Sequence, residues 1–159
     1  GSLDPSVVTF LMEKENISPK EMSELLNKKS GILGISGISS DDRDIDEAIA
    51  NGSERAKLAR DMQYYQIRKT IGSYVAAMDG VDTIIFTGGI GENSSEIRED
   101  ICTNLNYLGV EIDLPLNKKV WHSPDTKIST ENSKVEVYVI PTNEELMIAR
   151  DTKEIVDAM

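Results

Sequence analysis

Two short β-branched runs, VDTIIF (residues 81–86) and VEVYVI (residues 135–140), each lead directly into a helix-starting pattern. A buried strand followed at once by a helix is the unit of a parallel or mixed sheet with helices packed on it, and this constrains the fold more than any other feature. The first run is mostly apolar and β-branched, as in a buried strand. In the second, Val135, Val137 and Val139 share one face.

The remaining segments are mostly helical. Asp4 stands at an N-cap with Pro5 in the first helical position, and Val7, Val8, Phe10, Leu11 and Met12 crowd one side of the helix that follows. Ser18, Pro19 and Glu21 repeat that grammar as a capping box, with Gly31 beyond the last turn. GILGISGISS reads as mostly irregular, a strand at ILGIS being the alternative, with a helix from about Asp44. From Glu54 to Met78 a long helix carries Ile67, Ile71, Tyr74, Val75 and Met78 at helical spacing, which predicts a core-facing stripe, and Gly80 ends it. Another helix is expected from the glycines after Phe86 to about Leu108, then a short strand at GVEID. LPLNKKVWHSPDTKISTENS reads as a polar surface excursion, and NEELMIARDTKEIVDAM as a final helix.

The 159 residues have the content of one ordinary soluble domain. No stretch approaches the ~18–20 apolar residues that span a bilayer, and no signal pattern opens the chain, so a cytoplasmic protein without membrane contact is expected. Acidic residues outnumber basic ones 28 to 17, a net charge of −11 that disfavours polyanions and argues against nucleic acid as a partner. Cys102, the single cysteine, reads as a small buried residue in a helix. His122, the single histidine, reads as surface decoration, while Trp121 and the tyrosines read as core or lid packing.

Three stretches carry chemistry. In TGGIGENSSEIRE, Thr87–Gly91 would form a strand-to-helix turn, with Asn93 and Glu96 as a capping pair. Its helix N-terminus would aim backbone N–H groups at the carboxyl edge of the sheet, where open α/β sheets bind ligands. The pattern alone fits either a tight structural turn or a turn that leaves room for a ring or a phosphate. In VIPTNEELMIARDT, Thr142 and Glu145 fit a capping box, leaving Glu144 either as a dipole-stabilising acid or as a carboxylate for Mg²⁺. In SGISSDDRDIDEA, Asp41, Asp42, Arg43 and Asp44 form a solvated charged helix start, or else acids that hold Arg43 rigid to meet a ring, a phosphate or a ribose.

Taken in order, KKSGILGISGISSDDRDIDEA, GVDTIIFTGGIGENSSEIRE and VIPTNEELMIARDT resemble the carboxyl-terminal part of the acetate kinase family, from Leu3 to the final helix and least in 114–127. The resemblance implies a ribonuclease H-like or actin-like ATPase domain, here a partial one occupying the whole of 1–159, with a short mixed or parallel sheet flanked by helices. It implies ATP or ADP and Mg²⁺ as cofactors, acetate and acetyl phosphate as reactants, and a homodimer with the Glu54–Met78 helix as a candidate contact. Asp41 and Arg43 fall where the family contacts nucleotide, Gly89, Ile90, Gly91 and Asn93 lie in its adenosine-binding turn, and Glu144 matches its magnesium-associated glutamate. A bulkier apolar residue is expected in place of Asp42.

The family's amino-terminal domain, with its catalytic aspartate, histidines and arginines, has no counterpart among these residues, and of a TR-x-GS-x-DP pattern only GSLDP is present. No catalytic residue is therefore expected here, and the chain alone is expected to be inactive. Propionate or butyrate kinase, or a non-catalytic nucleotide-binding or dimerisation module, are the alternatives.

Overall fold

The structure, a computed structural model, describes residues 3–121 and 123–159. The fold is a mostly helical α/β arrangement around a short open sheet, divided into two compact units, Gly1–Gln66 and Ile67–Met159. No helix among the described residues is long and apolar enough to cross a membrane.

The first unit is helical. α1 (Pro5–Glu15) and α2 (Pro19–Lys28) start where their caps require, with Asp4 accepting from Ser6 N–H and a complete Ser18–Glu21 capping box. The apolar side of α1 stays largely uncovered: it has no buried residue, and Phe10 is exposed. GILGIS forms neither strand nor loop but the short helix α3 (Gly31–Ser36), closing on Gly37 at φ 71°. α4 (Asp42–Ala50) begins two residues before the expected Asp44, because Asp41 is its cap. α5 (Glu54–Met78) starts in this unit, where Ala56, Ala59 and Arg60 are buried, as are Met22 of α2 and Ile45 of α4.

The second unit holds the sheet. β1 (Thr83–Phe86) is followed by α6 (Gly88–Asn93), α7 (Ser95–Thr103), a 3-10 turn (Asn106–Leu108), α8 (Leu114–Lys119), β2 (Thr126–Lys127), β3 (Glu136–Val139) and α9 (Glu144–Asp157). The strand order is β1-β3-β2, with β1 parallel to β3 and β2 antiparallel to it, so the sheet is mixed. Val135, Val137 and Val139 are buried as their alternation requires, and Ile84 and Phe86 of β1 join them. Ile85 is half exposed, so β1 has one covered face despite its apolar run. Ile97, Ile101 and Cys102 of α7 are likewise buried.

The stripe on α5 is not a core stripe: Tyr74 and Met78 are 62% exposed, and Ile67, Ile71 and Val75 are only partly covered. GVEID makes only the isolated bridge Ile112–Ser129. The polar excursion contains α8, whose Asn117 is buried, and β2. Pro115 in the first turn and the Asp113 cap, which accepts from Leu116 N–H at 2.9 Å, supply that helix start. Trp121, Tyr65, Tyr74 and Tyr107 are exposed rather than packed. His122 lies outside the described residues.

Candidate functional site

Parallel pairing puts the carboxyl ends of β1 and β3 side by side, with Phe86 level with Val139 and the Ile140 N–H donating to the Phe86 carbonyl at 2.9 Å. Two strand-to-helix turns leave this edge, one into α6 and one into α9. Such an edge is where open α/β sheets take ligands.

The three glycines of the first turn have separate duties. Gly88 sits at φ 70°, a left-handed conformation that favours glycine. A Cβ on Gly91 would lie 3.2 Å from the Phe86 carbonyl carbon, so the strand backbone itself requires a small residue there. A Cβ on Gly89 would meet nothing within 4 Å. Gly89 and the adjoining Ile90, 43% exposed, therefore form a flat open shelf.

The turn is tighter than the sequence suggests. Gly88–Asn93 winds into α6 itself, and α7 is capped by Ser94, whose hydroxyl accepts from Ile97 N–H at 3.3 Å. The Asn93–Glu96 cap does not form, because Asn93 turns its Nδ2 back to the Gly89 carbonyl at 2.9 Å. The Asn93 Oδ1 is buried without a hydrogen-bond partner. The Gly88 N–H, which would have been a phosphate donor, instead donates to Glu92 Oε1 at 2.8 Å. A fixed carboxylate in that place opposes an anion, so the shelf suits an uncharged ring better than a phosphate.

Arg98, fully buried on α7, braces the turn from inside. Its Nη1 donates to the carbonyls of Gly91 and Glu92, both at 2.8 Å. Its Nε reaches Asn117 Oδ1 at 2.7 Å, and its Nη2 the carbonyls of Asn117 and Val120 at 2.9 and 3.3 Å. Burial pulls its pKa below the usual arginine value. Neither Arg98 nor Glu92 emerges from sequence motifs. The available signal for Arg98 was an arginine three and four residues before Ile101 and Cys102, inside an apolar helical stripe.

In the second turn the cap is Asn143, whose Oδ1 accepts from Leu146 N–H at 3.0 Å, so the Thr142–Glu145 box does not form. Thr142 is diverted: its N–H and hydroxyl donate to Glu92 Oε1 at 2.8 and 2.9 Å. Glu144 and Glu145 are exposed in the first turn of α9, and with Thr142 and Asn143 they line an open depression of about 360 Å³. No group of three or more His, Cys, Asp or Glu side chains converges among the described residues. An all-protein metal cage is thus absent among the described residues, and Glu144 stands as an exposed carboxylate beside Glu145.

In the first unit, Asp41 caps α4 through the Arg43 N–H at 2.9 Å and takes the Arg43 guanidinium on both oxygens, at 3.1 and 2.8 Å. These bonds to Arg43, the side chain's first, hold the Asp41 carboxyl at about 2. The Arg43 side chain remains 90% exposed, held at one edge and open at its face. Asp42 pairs with the buried Arg60, which gives the polar residue at this position a structural duty. Cys102 is 1% exposed, and burial pushes its thiol up to about 12, an inert core residue.

The chain is similar to known proteins along nearly its whole length. The acetokinase family matches residues 1–150. The acetate kinase of Thermotoga petrophila is 56% identical over 158 residues, 99% of this chain and 39% of that protein. The structure of Porphyromonas gingivalis acetate kinase superposes with a TM-score of 0.87 at 51% identity, over 98% of this chain and 39% of that one. A propionate kinase from Francisella tularensis superposes at 0.81 with 39% identity, over 94% and 37%. The chain thus spans about two fifths of the length of the curated relatives it matches. On the family match and the identity across its length, the chain belongs to the acetokinase family.

Proposed function

We propose that this chain is the carboxyl-terminal part of a cytoplasmic acetate kinase, which reversibly transfers the γ-phosphoryl group of ATP to acetate, giving ADP and acetyl phosphate. Its own contribution is the wall that seats adenosine and one carboxylate associated with Mg²⁺. The observation that carries this reading is the open main-chain shelf at Gly89, lying at the carboxyl edge of the sheet beside the turn that bears Glu144.

In this reading the base lies against Gly89 and Ile90, where no side chain intervenes, with Gly91 keeping the shelf close to β1 and Asn93 holding the Gly89 carbonyl. The amides of Gly88 and Thr142 are already bonded to Glu92, so the phosphates point away from the shelf. Glu144, exposed at the start of α9, would hold Mg²⁺ through its carboxylate. Bound Mg²⁺ would neutralise phosphate charge as the γ-phosphoryl group moves. Asp41 fixes the guanidinium of Arg43 through paired bonds, leaving its planar face for the nucleotide. The residues that would clamp acetate and the moving phosphoryl group are not among these 159. Since one transition-state donor is worth about 10²–10³ in rate, this chain alone forms essentially no acetyl phosphate.

Calorimetric titration of the chain with MgATP tests the proposal. Binding is expected, and Gly89→Val, which places a branched side chain on the shelf, weakens it at least tenfold without lowering the melting temperature. Unchanged affinity in that variant, or no binding by the unaltered chain, rejects the adenosine wall.

A propionate or butyrate kinase would use the same shelf, so acyl choice is assigned to groups outside this chain. Homodimerisation has its own support: Leu58, Met62 and Tyr65 recur at i, i+4 and i+7 on α5, each about half exposed or more. Leu58→Glu is expected to shift sedimentation towards the monomer.

A further inference from the structure

One oxygen joins the two turns at the sheet edge. Glu92 Oε1 accepts from Gly88 N–H at 2.8 Å, Thr142 N–H at 2.8 Å and the Thr142 hydroxyl at 2.9 Å, so two donors far apart in sequence share an acceptor that lies 50 residues from Thr142. Three donors on one oxygen suit an ionised carboxylate, whose bonds are about twice as strong as neutral ones. The backbone that carries Glu92 is itself held from the core, because buried Arg98 donates to the Glu92 and Gly91 carbonyls at 2.8 Å. Glu92 is thus anchored at its main chain and engaged at its tip.

We propose that Glu92 is a positioning residue that holds the Gly89 shelf and the Glu144 turn in register, so that the base end and the metal end of one nucleotide are met at a fixed spacing. The nucleotide part of this proposal rests on the adenosine reading above. Glu92 touches neither the base nor the cation. It acts through Gly88, next to the shelf, and through Thr142, two residues before Glu144. Each turn has its own further restraint, Asn93 to Gly89 in one and the Asn143 cap in the other, so loss of the carboxylate uncouples them without melting either.

Two measurements on the 159-residue chain decide it. Amide exchange by NMR reads the clip without nucleotide. In Glu92→Ala the Gly88 and Thr142 amides should both exchange at least tenfold faster, while the Ile140 amide, bonded to Phe86, keeps its protection. Glu92→Gln, which keeps an acceptor oxygen but not the charge, should restore part of that protection. Titration reads the register: the Kd for MgATP should rise about tenfold in Glu92→Ala, the equivalent of one charge-assisted bond, while the Kd for adenosine changes less than about twofold.

Unchanged exchange at Gly88 and Thr142 overturns the clip. Altered exchange with MgATP and adenosine weakened alike overturns the register and leaves Glu92 a purely structural residue. Failure of the unaltered chain to bind either ligand overturns the adenosine reading and the positioning role with it, whereas the exchange result still stands for the clip. Should Glu92→Ala fail to fold, Thr142→Val removes only the exposed hydroxyl donor and should give a smaller change in the same directions.

Discussion

Arg98 in the second unit and Arg60 in the first are both buried, yet they are held in opposite ways. Arg98 donates all five of its hydrogen bonds to neutral acceptors, four of them backbone carbonyls, drawn from the glycine turn, Asn117 and Val120. Arg60 is paired with two acids, Asp42 and Asp46, near the rim, lies 5.7 Å from the Tyr64 ring, and leaves its Nε buried without a partner. Burial alone would lower the Arg60 pKa, but Tyr64, Asp42 and Asp46 raise it, whereas burial prevails at Arg98. A guanidinium can therefore be kept inside by completing its donor set or by matching its charge. Only the first arrangement knits several backbone segments together.

The sharpest way to break this comparison is Arg98→Met. It leaves the Gly91 and Glu92 carbonyls and Asn117 Oδ1 short of a donor, and at about 1–3 kcal/mol for each unsatisfied buried group the second unit should lose about 4 kcal/mol or more. Urea unfolding measures the loss, and alkylation of Cys102, four residues along the same helix, should change from undetectable to rapid below the main transition. A loss under about 1 kcal/mol would mean that the five bonds brace nothing. Arg60→Met should cost less, about 1–3 kcal/mol, because Asp42 and Asp46 are partly exposed and recover hydration. Equal losses in the two variants would erase the distinction.

The smallest effect belongs to the exposed pair Asp41–Arg43, the charge-matched arrangement without burial. The folded Asp41 carboxyl sits at about 2, below its ordinary 3.8, so its contribution is fully present above pH 4 and is lost as pH falls towards 2. Arg43→Ala should flatten that part of the stability–pH profile and lower stability at pH 7 by the same small amount. A profile of unaltered slope would show that the pair contributes nothing.

Some local signals were legible directly from neighbours in sequence. The Asp4 and Ser18 caps, the alternation of Val135, Val137 and Val139, and the burial of Cys102 all follow from spacings of two to four residues. Misreadings arose where a side chain took a partner other than the one its local pattern assigned. Thr142 fits a capping box, but its donors go to Glu92, and the cap passes to Asn143. Asn93 reaches back to Gly89, and the next cap passes to Ser94. The stripe on α5 was periodic in the right way, yet periodicity reports that a face is apolar and not what covers it.

By itself, the sequence determined the starts of α1 and α2, the two principal strands and the family to which the chain belongs, since caps, β-branched runs and extended motif order are properties of adjacent residues. Tertiary structure alone decided which glycine is open and which is pressed against β1, and that Glu92 ties two turns together over a base built by Arg98. A hydrogen-bond donor is committed only once, and the acceptor that takes it depends on which segments the parallel pairing of β1 and β3 brings to the same edge.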